Sequence, residues 1–304
     1  MAVCIPVRGD AGPLRRALDA INKADWPRQD LRVLVAVDGP DRDLEQAAAD
    51  AGAEVVTLES PGGSYAARNL ALGHLHLEQL DAVLFTDADC LPQPGWIGAH
   101  VAALESTDLS GGAIEIPTRQ QPSAAEFLDG VRHLRQRTYV AEGYAATANL
   151  AVRPEVAALG FDGRLKTGGD SEFCVRARSL GYTIGYTEDA VVVHPARQTA
   201  REVMKKVLRL CSGVLSQQDR WATKRLPPLR SPIRRVRQAR KAGASGGLFW
   251  ESRLAALSVL ADGLVLAAAI ASKMLGRAAR WRSRQDARGP ATRSRHRGET
   301  SGHG

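Results

Sequence analysis

The chain has 304 residues, 44% of them hydrophobic and only 5% aromatic. That supplies an ordinary buried core for one large domain, or one domain plus an appendage. The formal charge of +8 is unevenly spread: residues 201–304 hold 23 Lys and Arg against 6 Asp and Glu, a net of +17, which leaves 18 against 27, a net of −9, for the first 200. An acidic body with a basic tail points to an anionic surface as partner, lipid or nucleic acid. No basic surface interleaved with aromatics supports a specific nucleic-acid module, so that class is set aside. The four cysteines, Cys4, Cys90, Cys174 and Cys211, form no CxxC pair. With an apolar strand-like run at residues 2–7 leaving no room for a targeting segment, they read as reduced thiols of a cytoplasmic protein.

Taken in chain order, residues 3–7 read as a strand and 14–24 as an amphipathic helix. Residues 31–37 form a second strand, 41–51 a helix and 54–58 a third strand. Residues 64–80 form a helix with Ser64 as N-cap, and 82–85 a fourth strand. This alternation predicts a largely parallel sheet with helices on both faces, and the continuous apolar strands agree. Further on, 109–116, 145–152, 183–186 and 191–193 read as strands, 124–139 as a helix and 171–179 as a helix capped by Asp170 or Ser171. The sheet is therefore mixed. A helical segment over 199–216 opens the basic region, and 220–247 reads as mobile or surface-bound. The predicted division is a catalytic domain over 1–218, a basic linker over 219–252, an apolar helix over 253–282 and a disordered tail over 283–304.

Ligands of such sheets bind at the carboxyl ends of the strands. Arg8, Asp38, Asp87 and Asp89 all fall there. In Leu84-Phe85-Thr86-Asp87-Ala88-Asp89-Cys90 a buried strand ends in two carboxylates at i, i+2. Hard cations such as Mg²⁺ or Mn²⁺ take carboxylate oxygens and share coordination with phosphates. Such pairs also cap helices and turns, so the reading depends on its surroundings.

Those surroundings resemble the family 2 glycosyltransferases of the GT-A fold, over residues 3–213. The motifs, in order, are Ile5-Pro6-Val7-Arg8, Asp38-Gly39, Ala67-Arg68-Asn69, Asp87-Ala88-Asp89 and Pro92-x-Pro94-Gly95-Trp96. They continue with Ala148-Asn149-Leu150-Ala151-Val152-Arg153, Gly168-Gly169-Asp170-Ser171-Glu172 and Val193-His194-Pro195. The resemblance implies a GT-A type fold, a mixed and mostly parallel sheet flanked by helices, to which the basic C-terminal third adds a helical extension. It also implies an inverting transfer from a nucleotide-diphosphate-sugar. Two features depart from the family pattern. A single Asp38 follows strand two where members often carry two acids. The Gln-x-x-Arg-Trp letters of processive members occur only at Gln217, Arg220 and Trp221, past the expected helix, while Lys206-Val207-Leu208-Arg209-Leu210 is a degenerate version. The degenerate motif argues for a single-addition enzyme.

Glycosyl transfer must neutralise a leaving diphosphate, deprotonate an acceptor hydroxyl and hold the sugar in line. The resemblance makes Asp89 a ligand of a divalent cation (Mn²⁺ or Mg²⁺) and His194 a further one, or a strand-end histidine that only bonds backbone. Asp87 holds the ribose or the outer shell of the cation. Asp170 is the general base, or an N-cap carboxylate. Gly168 and Gly169 allow close approach to a ligand. Arg68 offsets diphosphate charge or pairs with Asp87. Pro6 and Asp38 line the nucleobase pocket beside Arg8, unless Asp38 caps the next helix. Trp96 and Asn149 fall on the acceptor side, with core packing an equal reading for Trp96. A nucleotidyltransferase is a second enzymatic reading, but Arg8-Gly9-Asp10-Ala11-Gly12 is a poor version of its glycine-rich loop. A non-enzymatic anionic-surface binder is a third.

Residues 254–275 have the ~20-residue length of a bilayer span. Asp262 at their middle would cost roughly 2.5 to 3.5 kcal/mol there. An interfacial or re-entrant helix held on anionic lipid by flanking Arg and Lys is therefore preferred, a span second and a helix packed on the body third. A lipid-linked or cell-envelope acceptor would suit a peripheral position on the inner face of the cell membrane.

Overall fold

The computed structural model describes residues 1–216 and 231–286. The chain runs β1 (Ala2–Val7), α1 (Ala11–Asn22), β2 (Arg32–Val37), α2 (Arg42–Asp50), β3 (Glu54–Thr57), α3 (Ser64–Gly73) and β4 (Val83–Thr86). It continues through β5 (Leu91–Pro92), α4 (Trp96–Leu104), β6 (Leu109–Glu115), α5 (Ala124–Arg132), α6 (Gln136–Ala141), β7 (Asn149–Val152), α7 (Pro154–Ala157), α8 (Gly169–Ser179), β8 (Ile184–Val193) and α9 (Ala200–Ser216). After residue 230 come α10 (Ser231–Lys241) and α11 (Leu248–Asp286). The eight strands form one sheet in the order β3-β2-β1-β4-β7-β6-β8-β5. β1, β2, β3 and β4 are parallel. β7 runs antiparallel to both β4 and β6, and β8 lies parallel to β6. This is the mixed, mostly parallel sheet flanked by helices that the alternation of patterns predicts.

One core lies on each face. Val3, Ile5, Val33, Val35 and Leu84 point into the layer covered by α1, α2 and α4. Cys4, Leu34, Phe85, Leu150 and Val152 point into the layer covered by α3 and α8. Alternate residues of each buried strand thus serve opposite faces. All four cysteines are buried free thiols.

Several boundaries differ from the sequence reading for local reasons. The N-cap of α3 is Gly63, at φ 97, with no side-chain cap; Ser64 is already helical. α3 stops at Gly73 and a separate 3₁₀ turn, Leu77–Gln79, precedes β4. The helix expected over 124–139 is broken between α5 and α6, where Leu134 takes φ 53. The strand readings at 183–186 and 191–193 are one strand, β8, with an irregularity opposite Gly112 and Ala113. Neither Asp170 nor Ser171 is the cap of α8; that position is Gly168, in the left-handed region at φ 76. α4 was not anticipated, because its run is apolar all round and shows no helical period.

The C-terminal region is more structured than its composition suggests. α10 forms inside the segment read as mobile or surface-bound, and α11 begins at Leu248. Val203 and Ala239 pack with Phe127, Leu128 and Leu254 in one cluster, and Val207 and Cys211 with Ala261 and Ala268 in another. The buried positions Glu251, Leu254, Ser258, Ala261, Ala268 and Ser272 of α11 follow the 3-4 spacing of a helix seam. Asp262 on that helix is 12% exposed and is held by Arg132 of α5 and, at 2.8 Å, by Arg235 of α10. The letters at Gln217–Trp221 and the tail beyond residue 286 lie outside the described residues.

Candidate active site

Parallel β1, β2 and β4 deliver their carboxyl ends to one edge of the sheet. Pro6 is buried there, in register with Ala36. Asp38 follows β2 and is 8% exposed. Its Oδ1 accepts from the backbone N–H groups of Gly62 and Gly63, at 2.6 and 2.8 Å. Arg8 lies on its other oxygen at 3.7 Å. The helix-cap alternative for Asp38 is excluded, because Asp41 caps α2 through Asp43 and Leu44. Asp38 instead ties β2 to the loop that starts α3, in place of the cap that α3 lacks.

The Asp87–Asp89 turn follows β4. Arg68, from α3, is 2% exposed and donates to Asp87 Oδ1 at 2.6 Å. Both alternatives for Arg68 name a carboxylate or a diphosphate, and the structure shows the carboxylate pairing. The backbone N–H of Cys90 closes the turn onto the Asp87 carbonyl at 3.0 Å. Asp89 remains 44% exposed at the mouth.

His194 ends β8 and faces that turn. Its Nδ1 donates to the Pro195 carbonyl at 2.8 Å, which can only accept. The second nitrogen, Nε2, lies 3.7 Å from Asp89 Oδ2 and in the neutral ring carries the lone pair that a cation would use. The ligand atoms of Asp89, Cys90 and His194 all fall within 4.8 Å of one another. Burial, reinforced by the charges of Asp87 and Asp89, pushes the Cys90 thiol well above its usual range. A protonated thiol is a poor ligand, so the useful donors are a carboxylate and a neutral imidazole.

Asp170 stands in the first turn of α8. Its Oδ1 accepts from Ser171 N–H at 2.8 Å and makes a long contact of 3.4 Å with the Tyr65 hydroxyl. A Cβ on Gly169 would come within 2.7 Å of the Tyr65 ring, so glycine is what allows α8 to start this close to α3. Burial, and then the Asp170 charge, raise the Tyr65 phenol. Tyr139 and Tyr144 stack at 4.9 Å nearby, raised first by burial, with Asp170 adding to it. Tyr65 thus touches Asp170 and the Tyr139–Tyr144 stack lies within its electrostatic reach, aromatic neighbours that the sequence reading did not identify.

Two expected acceptor-side residues are elsewhere. Trp96 is wholly buried in the core, edge-on to His100. Asn149 is also wholly buried. Its Nδ2 donates to the carbonyls of Ala113 and Ala190 at 2.8 and 2.7 Å, and its Oδ1 accepts from His100 at 2.8 Å. It bolts β7 to β6 and β8 and has no surface for a ligand. Burial lowers His100 to about 4, so it stays neutral.

A cavity of 580 Å³ opens beside Asp89 and His194 and is walled by the segment leading into α9, including Arg197, Lys205, Lys206 and Arg209. Lys206 and Arg209 are the residues of the degenerate motif. Their exposure to the cleft depends on how α9 packs, which spacing alone does not reveal.

Residues 2–143 match the family model described as Glycosyl transferase family 2. Glycosyltransferase AglE of Haloferax volcanii is 30% identical over 224 residues, covering 70% of this chain and 72% of that protein. The mannosyltransferase PcManGT from Pyrobaculum calidifontis, solved in complex with GDP-Man and Mn²⁺, superposes with a TM-score of 0.58 at 20% identity, covering 89% of this chain and 86% of that one. The latter likeness concerns the fold. Motifs, fold and relatives agree, and the chain belongs to the family 2 glycosyltransferases.

Proposed function

We propose that the enzyme transfers one sugar from a nucleotide-diphosphate-sugar to an acceptor hydroxyl, with inversion at the anomeric carbon and help from a divalent cation. The observation that carries this reading is the facing pair of Asp89 and the free Nε2 of His194 at the carboxyl edge of the sheet. A carboxylate and a neutral imidazole suit Mn²⁺ and, less well, Mg²⁺. When bound there, the cation supplies charge neutralisation for a leaving diphosphate.

The chain's own residues take the other tasks. Pro6, Arg8 and Asp38 form the edge at which the nucleotide would sit, and Asp87, held by Arg68, orients the ribose or the outer shell. Asp170 takes the proton from the acceptor hydroxyl. The hydroxyl oxygen bonds the anomeric carbon as its bond to the diphosphate oxygen breaks, and the diphosphate leaves with that electron pair. Attack from the opposite side inverts the centre without a covalent enzyme intermediate. Gly168 and Gly169 keep the backbone thin at this point.

The same reading places the protein in the cytoplasm, peripheral to the inner face of the cell membrane, with a lipid-linked or cell-envelope acceptor. α11 is long and apolar enough to cross a membrane by length and composition, with a mean hydropathy of 2.2 over an 18-residue window within Leu248–Met274. Its inner seam and Asp262 are engaged by the body, however. Phe249, Val259, Leu260, Ile270 and Met274 are exposed on its outside, and the surrounding Arg and Lys favour anionic lipid. That supports a helix lying on the bilayer. Cosedimentation with anionic liposomes at physiological salt tests it, and no binding refutes it.

The donor site is tested by a thermal-shift screen of UDP-, GDP- and dTDP-sugars with and without Mn²⁺, on wild type and Asp89→Ala. A shift that needs both the cation and Asp89 is the expected result. No shift with any donor on folded protein would overturn the donor reading.

A further inference from the structure

The wall of the cleft after His194 carries more positive charge than the roles of Asp89, His194 and Asp170 require. Arg197, Lys205, Lys206 and Arg209 line the 580 Å³ cavity together. Its acid on the same helix, Glu202, is committed to capping α9, accepting from the N–H groups of Gln198 and Thr199 at 3.0 Å each.

These cations are arranged by the fold. Wholly buried Asp129 of α5 accepts from the backbone N–H of Arg197 at 3.0 Å and from its guanidinium at 3.2 Å. His133 donates to the same carboxylate at 2.7 Å. Ser123 pins the next residue, donating to the Gln198 carbonyl at 2.8 Å. Lys206 and Arg209 lie one turn apart on α9, whose adjoining face is fixed by Val203 and Val207 in the core. Burial, and repulsion from Arg209 and Arg197, lower Lys206 to about 8, while Asp87 and Asp170 pull the other way. Lys206 therefore stands within electrostatic reach of both the Asp87 turn and the proposed base. Like charges held together in a partly enclosed site are costly until an anion joins them.

We propose that Arg197, Lys205, Lys206 and Arg209 form a phosphate subsite for the acceptor, so that the acceptor carries a phosphate or diphosphate group close to its reacting hydroxyl. This rests on the transfer reading above. The nucleotide edge at Arg8, Asp38 and Asp87 lies at the ends of β1, β2 and β4. The cationic wall lies beyond His194, at the end of β8, and shares its cavity with Asp89 and His194. Phosphate binding that persists beside bound nucleotide is therefore what separates an acceptor subsite from the site of the donor's diphosphate. A guanidinium fixed by a buried carboxylate suits a planar, two-point contact with phosphate oxygens.

The test is calorimetric titration of inorganic phosphate into the full-length chain with Mg²⁺, first alone and then saturated with whichever of UDP or GDP binds. Saturable phosphate binding is expected in both states. Lys206→Gln and Arg209→Gln should each weaken it about tenfold while changing nucleotide affinity less than about twofold. Lys206→Arg should retain binding, and unchanged melting temperatures show that the variants fold. Asp129→Asn, which frees Arg197, should weaken phosphate without moving the nucleotide. Loss of phosphate binding once nucleotide is bound, or a parallel loss of nucleotide affinity in the variants, would reassign the cavity to the donor and overturn the proposal. Absence of saturable binding to the nucleotide-free chain would overturn it as well. Phosphate binding by a wild-type chain that takes neither nucleotide would sink the donor reading and leave the phosphate subsite standing.

Discussion

Replacing Asp262 by leucine distinguishes a docked α11 from a spanning one by the sign of the effect. In the structure Asp262 faces Arg132 and Arg235, which are 11% and 9% exposed. Removing the carboxylate leaves two largely buried guanidiniums without it, and breaking such a group costs roughly 3 to 5 kcal/mol. In a bilayer span the same substitution removes an unfavourable charge and stabilises by roughly 2.5 to 3.5 kcal/mol. The local readout is amide hydrogen exchange over α11, which reports opening of that helix rather than the whole chain. Docking predicts exchange about 100- to 4,000-fold faster from residue 254 to 272 in Asp262→Leu, by the conversion of 1.4 kcal/mol per tenfold. Replacing Arg132, Arg235 and Asp262 together by Met, Met and Leu should recover most of the loss, since an apolar substitute for a buried ionic group is often neutral. Unchanged or slower exchange in the single variant would refute the docked arrangement.

Other consequences are equally direct. His100, wholly buried, sits at about 4 against an ordinary 6.5, so its neutral form is favoured by folding. Its contribution is complete above pH 6.5 and lost as pH falls from 6.5 toward 4, about 3 kcal/mol in all; His100→Gln should flatten urea midpoints over that window by this amount, and an unchanged slope would contradict it. Gly169→Ala puts a Cβ 2.7 Å from the Tyr65 ring, so a loss of about 1 to 3 kcal/mol in stability is expected, measurable as a lowered melting temperature. Asp170→Asn should leave donor-induced thermal shifts intact while lowering transfer at least about 100-fold; equal loss of donor binding would place Asp170 on the donor side. Deleting residues 242–304 should lower the melting temperature of the remaining chain, because Val203, Val207 and Phe127 lose their cover; an undiminished melting temperature would make α11 a mere tether.

The first half of the fold was legible because each element buries one side in a recognisable period. β1 to β4 and α1 to α3 alternate in the sequence as they do in space. The gathering of Arg8, Asp38, Asp87 and Asp89 at one edge of the sheet was legible for the same reason, since each follows a strand that the pattern marks. What failed needed distant partners. Trp96 and Asn149 lie in motif-like runs, and only the packing of α4 against β6, β7 and β8 shows that both are interior. The α5–α6 break depends on a left-handed Leu134, which no composition announces. Asp262 looked like an expense in a bilayer because Arg132 and Arg235 are 130 and 27 residues away from it.

The division into an acidic body and a basic appendage describes composition better than it describes the molecule. α5 carries Asp129, which aims Arg197 at the cleft, and three residues later Arg132, which holds Asp262 of α11. α9 turns Lys206 and Arg209 toward the cleft and Val203 and Val207 toward the C-terminal helices. α9 is therefore a wall of the cleft on one side and a seat of α11 on the other, while α5 backs the segment that carries Arg197 and packs against α10 and α11. Packed helices shift as rigid units, because a close-packed interface resists continuous deformation. If α11 is seated on a membrane as proposed, that seat bears on the back of the element that presents the cleft's cations, and the position of the appendage and the geometry of the cationic wall would be set by the same contacts.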